Sequence, residues 1–452
     1  ARKRWHDKLL YHTQVIWYAA KENESLLDKE QSINIFMRIN SGKIPLTNAE
    51  LIKALFIHHV ADPNNAAVLQ LQQAEMAQQW DMIEHGLQDD EFWAFLQTSN
   101  RDIESGNRIE LLFDLISGKT KAASNQQSAS YDPLYAFNYF DVALKNAADK
   151  RVGVLELWHR IKQGYFRLLE WYRNDELYHL TGFLITRKIC SIQDLWKLAD
   201  QRSKSEFIES LKSIVGKTLT SYFKGDDGKS LDFSRLQYGV SKDRQKIISV
   251  FTLLNICVHR LGKTRLSFNT YRRVNWDIEH IHAQNAKPVK DDKQIAIWYS
   301  DQKGILKSTD IPRKSSEELE VLLDNWYRLA ESKNDDAGNT LDEYLKRLAE
   351  TVGDFREEEK DSLDNLCLLS DKVNRGIGNE IFSVKRQMII DYEKQGDGEG
   401  SHFIPLATKQ VFSKYFSSNV SQMHKWSRDD RLAYRKALID CFSYYTSMEG
   451  MK

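Results

Sequence analysis

Six prolines and four cysteines in 452 residues are few, and each scarcity excludes something. The cysteines, Cys190, Cys257, Cys367 and Cys441, are scattered without a Cys-x-x-Cys pair, which argues against a zinc ribbon and against a disulfide framework. A reducing, cytoplasmic setting is expected. Net charge is lacking too: 64 Lys+Arg balance 64 Asp+Glu, so any argument for nucleic acid must rest on local charge. No charged-then-apolar signal segment opens the sequence. The longest apolar run, near Ile247 to Val258, is too short and interrupted to span a bilayer, so no membrane partner is expected. Scarce proline beside long charged-apolar periodic stretches predicts a mainly α chain with small β elements. Its length leaves room for two or three domains.

What is present concentrates in Trp276-Asp277-Ile278-Glu279-His280-Ile281-His282-Ala283-Gln284, where two carboxylates and two histidines fall within six positions. The alternation predicts a short strand, with Trp276, Ile278, His280 and His282 on one face and Asp277, Glu279 and Ile281 on the other. Taken alone, this is equally a half-buried strand with two satisfied histidines. A second short strand is expected at Asn365-Leu366-Cys367-Leu368-Leu369, followed by Asn374 near a helical stretch from about Ser383 to Lys394 that carries Lys385.

The order of these parts, strand with Glu-His, strand opening on Asn, helix with Asn, resembles the ββα-metal finger of HNH nucleases. The wording Asp-Ile-Glu-His-Ile-His-Ala-Gln is similar to the C-terminal HNH domain of GmrSD-type, modification-dependent (type IV) restriction endonucleases. That resemblance implies a metal-dependent endonuclease acting on modified double-stranded phage DNA in anti-phage defence. It implies His280 as general base, Asn365 holding the His280 ring, and Glu279 and Asn374 as ligands of Mg²⁺ or Mn²⁺. His282 and Lys385 are implied as phosphate contacts. Two positions depart from the usual pattern: Glu279 stands where Asp is common, and Ala283 where proline is. The alternative is a non-cleaving regulatory subunit that grips DNA or protein.

Local charge supports a nucleic-acid partner. From His259 to Lys290 there are seven basic residues against two acidic ones, and Arg265, Arg272, Arg273, Lys287 and Lys290 are placed to meet phosphates beside the strand. Nearer the N-terminus, Gln14 to Tyr18 reads as a strand, Asn40-Ser41-Gly42 as a turn, and Thr47-x-x-Glu50 as a capping box opening a helix with Leu51, Ala54 and Leu55. This wording resembles the second half of the family's ParB-like nucleotide-dependent domain, with Asn40 as a remnant nucleotide-site residue. The family's Asp-Gly-Gln-Gln-Arg motif is absent, so nucleotide hydrolysis is not expected of this chain alone. A separate nucleotide-binding portion or partner chain is implied instead. Three Gly-Lys-Thr triplets, beginning at Gly118, Gly216 and Gly262, are not P-loops. The glycine required five positions earlier is Phe113, Leu211 or Cys257.

The expected organisation is therefore a ParB-like remnant over 1–60, a helical coupling domain over 61–240 and an HNH nuclease domain over 241–452. The last would carry an inserted helical cap at about 290–360, with Trp298, Leu322, Leu323, Trp326 and Leu345 as its apolar face. Aromatic residues in Gly164 to Tyr172 fall at helical spacing and are expected in a core rather than against bases.

Overall fold

The computed structural model describes residues 46–60, 66–97, 107–125, 127–225, 232–282, 292–307, 311–352, 360–378, 382–395, 403–417, 420, 423 and 426–446. The expected strand at 14–18, Asn40, Lys287 and Lys290 lie outside them. Helices dominate, as the composition predicts. The first ten are α1 (Asn48–His59), α2 (Ala66–Leu87), α3 (Asp90–Leu96), α4 (Glu110–Ser117), α5 (Lys121–Ser124), α6 (Tyr135–Lys145), α7 (Lys150–Arg173), α8 (Asp175–Thr186), α9 (Ile192–Ala199) and α10 (Lys204–Phe223). Then follow α11 (Arg244–Leu261), α12 (Phe268–Arg273), β1 (Trp276–His280), α13 (Asp292–Leu306), α14 (Arg313–Glu331) and α15 (Ala337–Val352). The chain continues with β2 (Leu366–Ser370), α16 (Asp371–Ile377), α17 (Phe382–Gln395), α18 (Leu406–Phe412) and α19 (Arg428–Ser443). Among the described residues no helix is long and apolar enough to cross a membrane.

The chain divides into two compact units, residues 1–76 with 119–158 and residues 77–118 with 159–452. In the first, Thr47 caps α1 by accepting the Glu50 N–H at 3.2 Å while Glu50 accepts the Thr47 N–H at 2.9 Å, the expected capping box. The buried face is Leu51, Ile52 and Phe56, whereas Ala54 is exposed. Phe56 meets Phe140 of α6 edge-on with centroids 5.6 Å apart. Asn48 ties α1 to the start of α6, donating to the Pro133 carbonyl at 2.6 Å and accepting the Phe137 N–H at 3.1 Å.

The second unit is built around α11, which is buried from Ile247 through Val258 and so explains its apolar run. Helix α8 packs beside it. A Cβ at Gly182 would strike the Phe268 ring, so glycine here permits close seating of α12 on α8. The aromatic stretch of α7 is core in part: Tyr165 and Trp171 are buried, with Trp171 stacked on Phe207 of α10 at 5.0 Å, whereas Phe166 is exposed. One expectation is corrected. Cys257 of α11 and Cys441 of α19 form a disulfide, bridging positions 184 apart because the last helix returns to pack on the central one. Cys190 and Cys367 are free.

Burial also sets a pH dependence in this core. His179 of α8 is 4 % exposed, and its Nε2 accepts the Leu266 N–H at 3.3 Å. Burial, aided by repulsion from His259, pulls its pKa down from 6.5 to about 4. The unfolded chain therefore binds a proton that the folded chain refuses, and stability falls as pH drops from 6.5 towards 4. At about 1.4 kcal/mol per factor of ten in proton affinity, the loss reaches roughly 2 kcal/mol by pH 5. Urea denaturation at pH 7 and pH 5 should show this difference shrink by that amount in His179→Gln, which keeps an acceptor but does not titrate. An unchanged difference would show that His179 does not carry it.

Helices α13, α14 and α15 enclose their own core of Trp298, Leu319, Leu323, Trp326, Leu341 and Tyr344. Trp298 meets Trp326 edge-on at 4.6 Å. Leu323 and both tryptophans lie on the face read from sequence, while Leu322 and Leu345 pack at its margin.

Strands β1 and β2 form an antiparallel pair in the register Trp276↔Ser370, Ile278↔Leu368 and His280↔Leu366. The ladder continues at both ends, from the Asp371 N–H to the Asn275 carbonyl at 2.9 Å and from the Ile281 N–H to the Asn365 carbonyl at 2.8 Å. All five residues of β2 are buried. Thr408 of α18 donates to the Leu368 carbonyl at 2.6 Å, and Tyr434 of α19 to the Leu366 carbonyl at 3.4 Å. Both strands are thus held by the disulfide-linked helical core.

Candidate active site

Strand alternation places His280 on one face of β1 and Asp277 with Glu279 on the other. Each face is completed by residues from far along the chain. His280 Nε2 lies 2.9 Å from Asp361 Oδ1, and the Tyr238 ring packs edge-on against the imidazole with centroids 4.4 Å apart. A carboxylate can only accept, so the bond sets the ring proton on Nε2 and leaves Nδ1 as the basic nitrogen. Burial lowers the His280 pKa below its usual 6.5, while Asp361 opposes that shift. The ring is consequently neutral at neutral pH.

Tyr238 and Asp361 are themselves coupled. The Tyr238 N–H donates to the Asp361 carbonyl at 3.1 Å, and Gln237 pairs with Ser362 as an antiparallel bridge. Asn365 then ties this segment to the end of β1. Its Nδ2 donates to the Lys360 carbonyl at 2.8 Å and the His282 carbonyl at 3.3 Å, and its Oδ1 accepts the His282 N–H at 3.0 Å. Asn365 is fully buried. It does not grip the His280 ring, as the resemblance implied; it clamps the backbones that carry His280 and Asp361. Aspartate 361 performs the ring contact.

On the opposite face, Asn374 donates from Nδ2 to Asp277 Oδ2 at 2.7 Å, and Arg244 donates to Asp277 Oδ1 at 2.9 Å. Burial would raise the Asp277 pKa, but the bonds from Asn374, Arg244 and the Ile278 N–H outweigh it and hold the carboxyl below its usual range. Asn374 sits on α16, a separate helix that starts directly after β2 under a Ser370 cap, rather than near the entry to the later helix. That helix stops at Gly378, whose φ of 60° and ψ of −158° suit glycine alone. The Asn374 Oδ1 atom is buried without a hydrogen-bond partner. An amide oxygen and an ionised carboxylate are hard oxygen donors of the kind that Mg²⁺ or Mn²⁺ takes, but here both Asp277 oxygens accept, one from Asn374 and one from Arg244.

The ligand role implied for Glu279 meets a different geometry. Lys385 of α17, with its side chain fully buried, donates to the Glu279 carboxylate and to the His280 carbonyl at 2.7 Å. Burial still raises the Glu279 pKa, with Lys385 opposing. Glu279 and Asn374 therefore have separate partners, and Lys385 is an internal counter-ion rather than a surface phosphate contact. Among the described residues, no group of three or more His, Cys, Asp or Glu side chains is placed to hold a metal.

The basic residues flanking β1 also divide. Arg272 turns inward, donating to the Ala94 and Phe95 carbonyls at the end of α3 and to Thr186 Oγ1 at 3.0 Å. Arg265 is held by Asp175 at 2.5 Å and by the Tyr172 and Arg173 carbonyls at 2.8 Å. Both guanidiniums cap helix ends, which corrects their reading as phosphate contacts. Arg273 is exposed, and His282 is half-buried beside Asn365. Sequence reasoning passed over Asp361, Tyr238 and Arg244. Asp361 lies only four positions before Asn365, but nothing in that spacing marks it as the partner of a histidine 81 positions earlier.

No family model, curated protein or solved structure matches this chain.

Proposed function

We propose that the chain is a metal-dependent HNH-type endonuclease that hydrolyses phosphodiester bonds in double-stranded DNA. The observation that carries the reading is a neutral His280 whose ring is oriented by Asp361 and packed by Tyr238, a tyrosine that also feels the negative charge of Asp277. In this reading β1, β2 and α16 are the ββα finger. Asn374 and Asp277 are the residues that would hold Mg²⁺ or Mn²⁺, and such an ion would supply charge neutralisation at the scissile phosphate and leaving oxygen. His280 Nδ1 takes a proton from the attacking water as the new oxygen–phosphorus bond forms. The bond to the 3′ oxygen breaks, and that oxygen takes a proton from solvent. Asp361 holds the imidazolium so formed, and Asn365 keeps the two segments in register. The resemblance to GmrSD-type enzymes makes modified phage DNA the substrate and defence the setting.

Supercoiled plasmid is the test, glucosylated and plain, with Mg²⁺ or with a chelator. Nicking that needs metal is the expected result. Asn374→Ala should weaken Mn²⁺ binding measured by calorimetry by at least about tenfold, a readout independent of cutting. Lys385 on Glu279 is the one feature that favours the alternative, a subunit that binds without cutting. Binding of DNA with no cutting of any plasmid would decide for it.

A further inference from the structure

A second polar site lies along the segment that leads into Tyr238. The end of α10, the segment 232–243 and the first turn of α11 enclose a cleft of about 560 Å³. Its lining holds four cations, Lys224, Arg235, Lys242 and Lys246, against two acids, Asp232 and Asp243. Both acids are already engaged. Asp243 is buried and accepts from Lys246 at 2.9 Å, and Asp232 accepts the Ser234 N–H at 2.9 Å and hydroxyl at 2.7 Å. The balance presented to a ligand is positive, with Lys224 and Lys242 both exposed. Ser221, Ser234 and Gln237 add hydroxyl and amide groups to the lining, beside Tyr222 and Val240. Cations interspersed with short polar donors recognise phosphate and sugar oxygens and carry no base code.

The cleft is continuous with the candidate active site through the backbone. Gln237 lines the cleft and pairs with Ser362, and its neighbour Tyr238 donates to the Asp361 carbonyl and packs on the His280 ring. Successive Cα atoms are only about 3.8 Å apart. Residues 237 and 238 thus join the lining of the cleft to the ring contact at His280. Phosphates of one DNA strand follow one another at about 3.4 Å along the axis. We propose that this cleft binds the sugar-phosphate backbone of the DNA strand flanking the scissile phosphate. The proposal rests on the nuclease reading for its choice of ligand, and supplies phosphate contacts in place of Arg265 and Arg272.

The test measures binding and cutting separately. A short fluorescein-labelled DNA duplex is titrated with the full chain carrying His280→Ala, across a range of salt concentrations, with anisotropy as readout. Adding Lys224→Gln and Lys242→Gln should weaken binding roughly tenfold to a hundredfold, and should reduce the slope of log affinity against log salt by about two. Lys150→Gln with Lys333→Gln, two exposed sites elsewhere, should leave both nearly unchanged. Circular dichroism confirms that each variant is folded. Equal affinity and slope in the cleft and control pairs would overturn the cleft, as would a parent chain with no salt-dependent binding. Plasmid nicking with His280 intact reads the nuclease independently. Metal-dependent cutting with unaltered binding by the cleft variant sinks only the cleft. Weakened binding by that variant without any cutting supports the cleft as a DNA contact and sinks the nuclease.

Discussion

Replacing His280 by alanine is expected to lower metal-dependent plasmid cleavage by about 10²- to 10⁴-fold, the range for losing a positioned general base. DNA affinity should change little, because the ring is only 12 % exposed and its polar contact is with Asp361. The pH profile carries a sharper signature. Burial disfavours the imidazolium, so the folded pKa lies below 6.5 and the basic form is present at neutral pH. Activity should therefore rise with pH along a limb centred below about 6.5 and be flat above it until another group titrates. Asp361→Asn removes the interaction that supports the charged ring. The limb should move to still lower pH, and the plateau should drop by roughly 10²-fold as the imidazolium formed in the reaction loses its counter-charge. A merely structural Asp361 would reduce activity without moving the limb. Full activity in His280→Ala would exclude the residue as the base.

Lys385→Met is expected to cost about 3–5 kcal/mol of stability at pH 7, because it strands a buried carboxylate. Lys385 has no exposed side-chain surface and Glu279 is 8 % exposed, so neither charge has water to fall back on. The double variant Glu279→Leu with Lys385→Met should recover most of that loss, since the buried pair then becomes apolar contact. The pH dependence has a definite sign. Burial raises the Glu279 pKa above 4.5 even with Lys385 beside it. A raised folded value gives stability that is present below the unfolded pKa and lost as pH rises through the folded one. Without Lys385 the folded value climbs further, so the single variant should regain stability between pH 7 and about pH 5. Denaturant midpoints at the two pH values measure this. A loss below about 1 kcal/mol at pH 7 would contradict a buried ion pair.

The same pair bears on function. Lys385 fixes the end of β1 through the His280 carbonyl while withdrawing Glu279 from solvent. Asp277, two positions earlier on the same face, is left to meet Asn374 and Arg244. The carboxylate that chemistry would use is thereby chosen by which cation reaches which acid. Alternation along β1 makes the two acids equivalent until α11 and α17 supply those cations.

Much of the local structure was legible in the residues alone. The period-two pattern of Trp276 to His280, the apolar run of Leu366 to Leu369, the capping box at Thr47 and the helical spacing around Trp171 all express short-range preferences, and these elements form as read. The partners of each functional group were not legible. Asp361 reaches His280 across the three-helix insertion, and Arg244 reaches Asp277 from the start of the central helix. Cys441 reaches Cys257 only because α19 packs back on α11. Charge counting near β1 pointed to Arg265 and Arg272, yet helix ends with unpaired carbonyls claim both. The two strands, the helical character and the residue types gathered at Trp276 to His282 can all be read from the residues in order. Only the tertiary structure decided which acid faces Asn374, which carboxylate orients His280 and which cations remain open to a ligand. Strand and helix formation depend on neighbours a few positions apart, whereas these pairings depend on the packing of segments up to 184 positions apart.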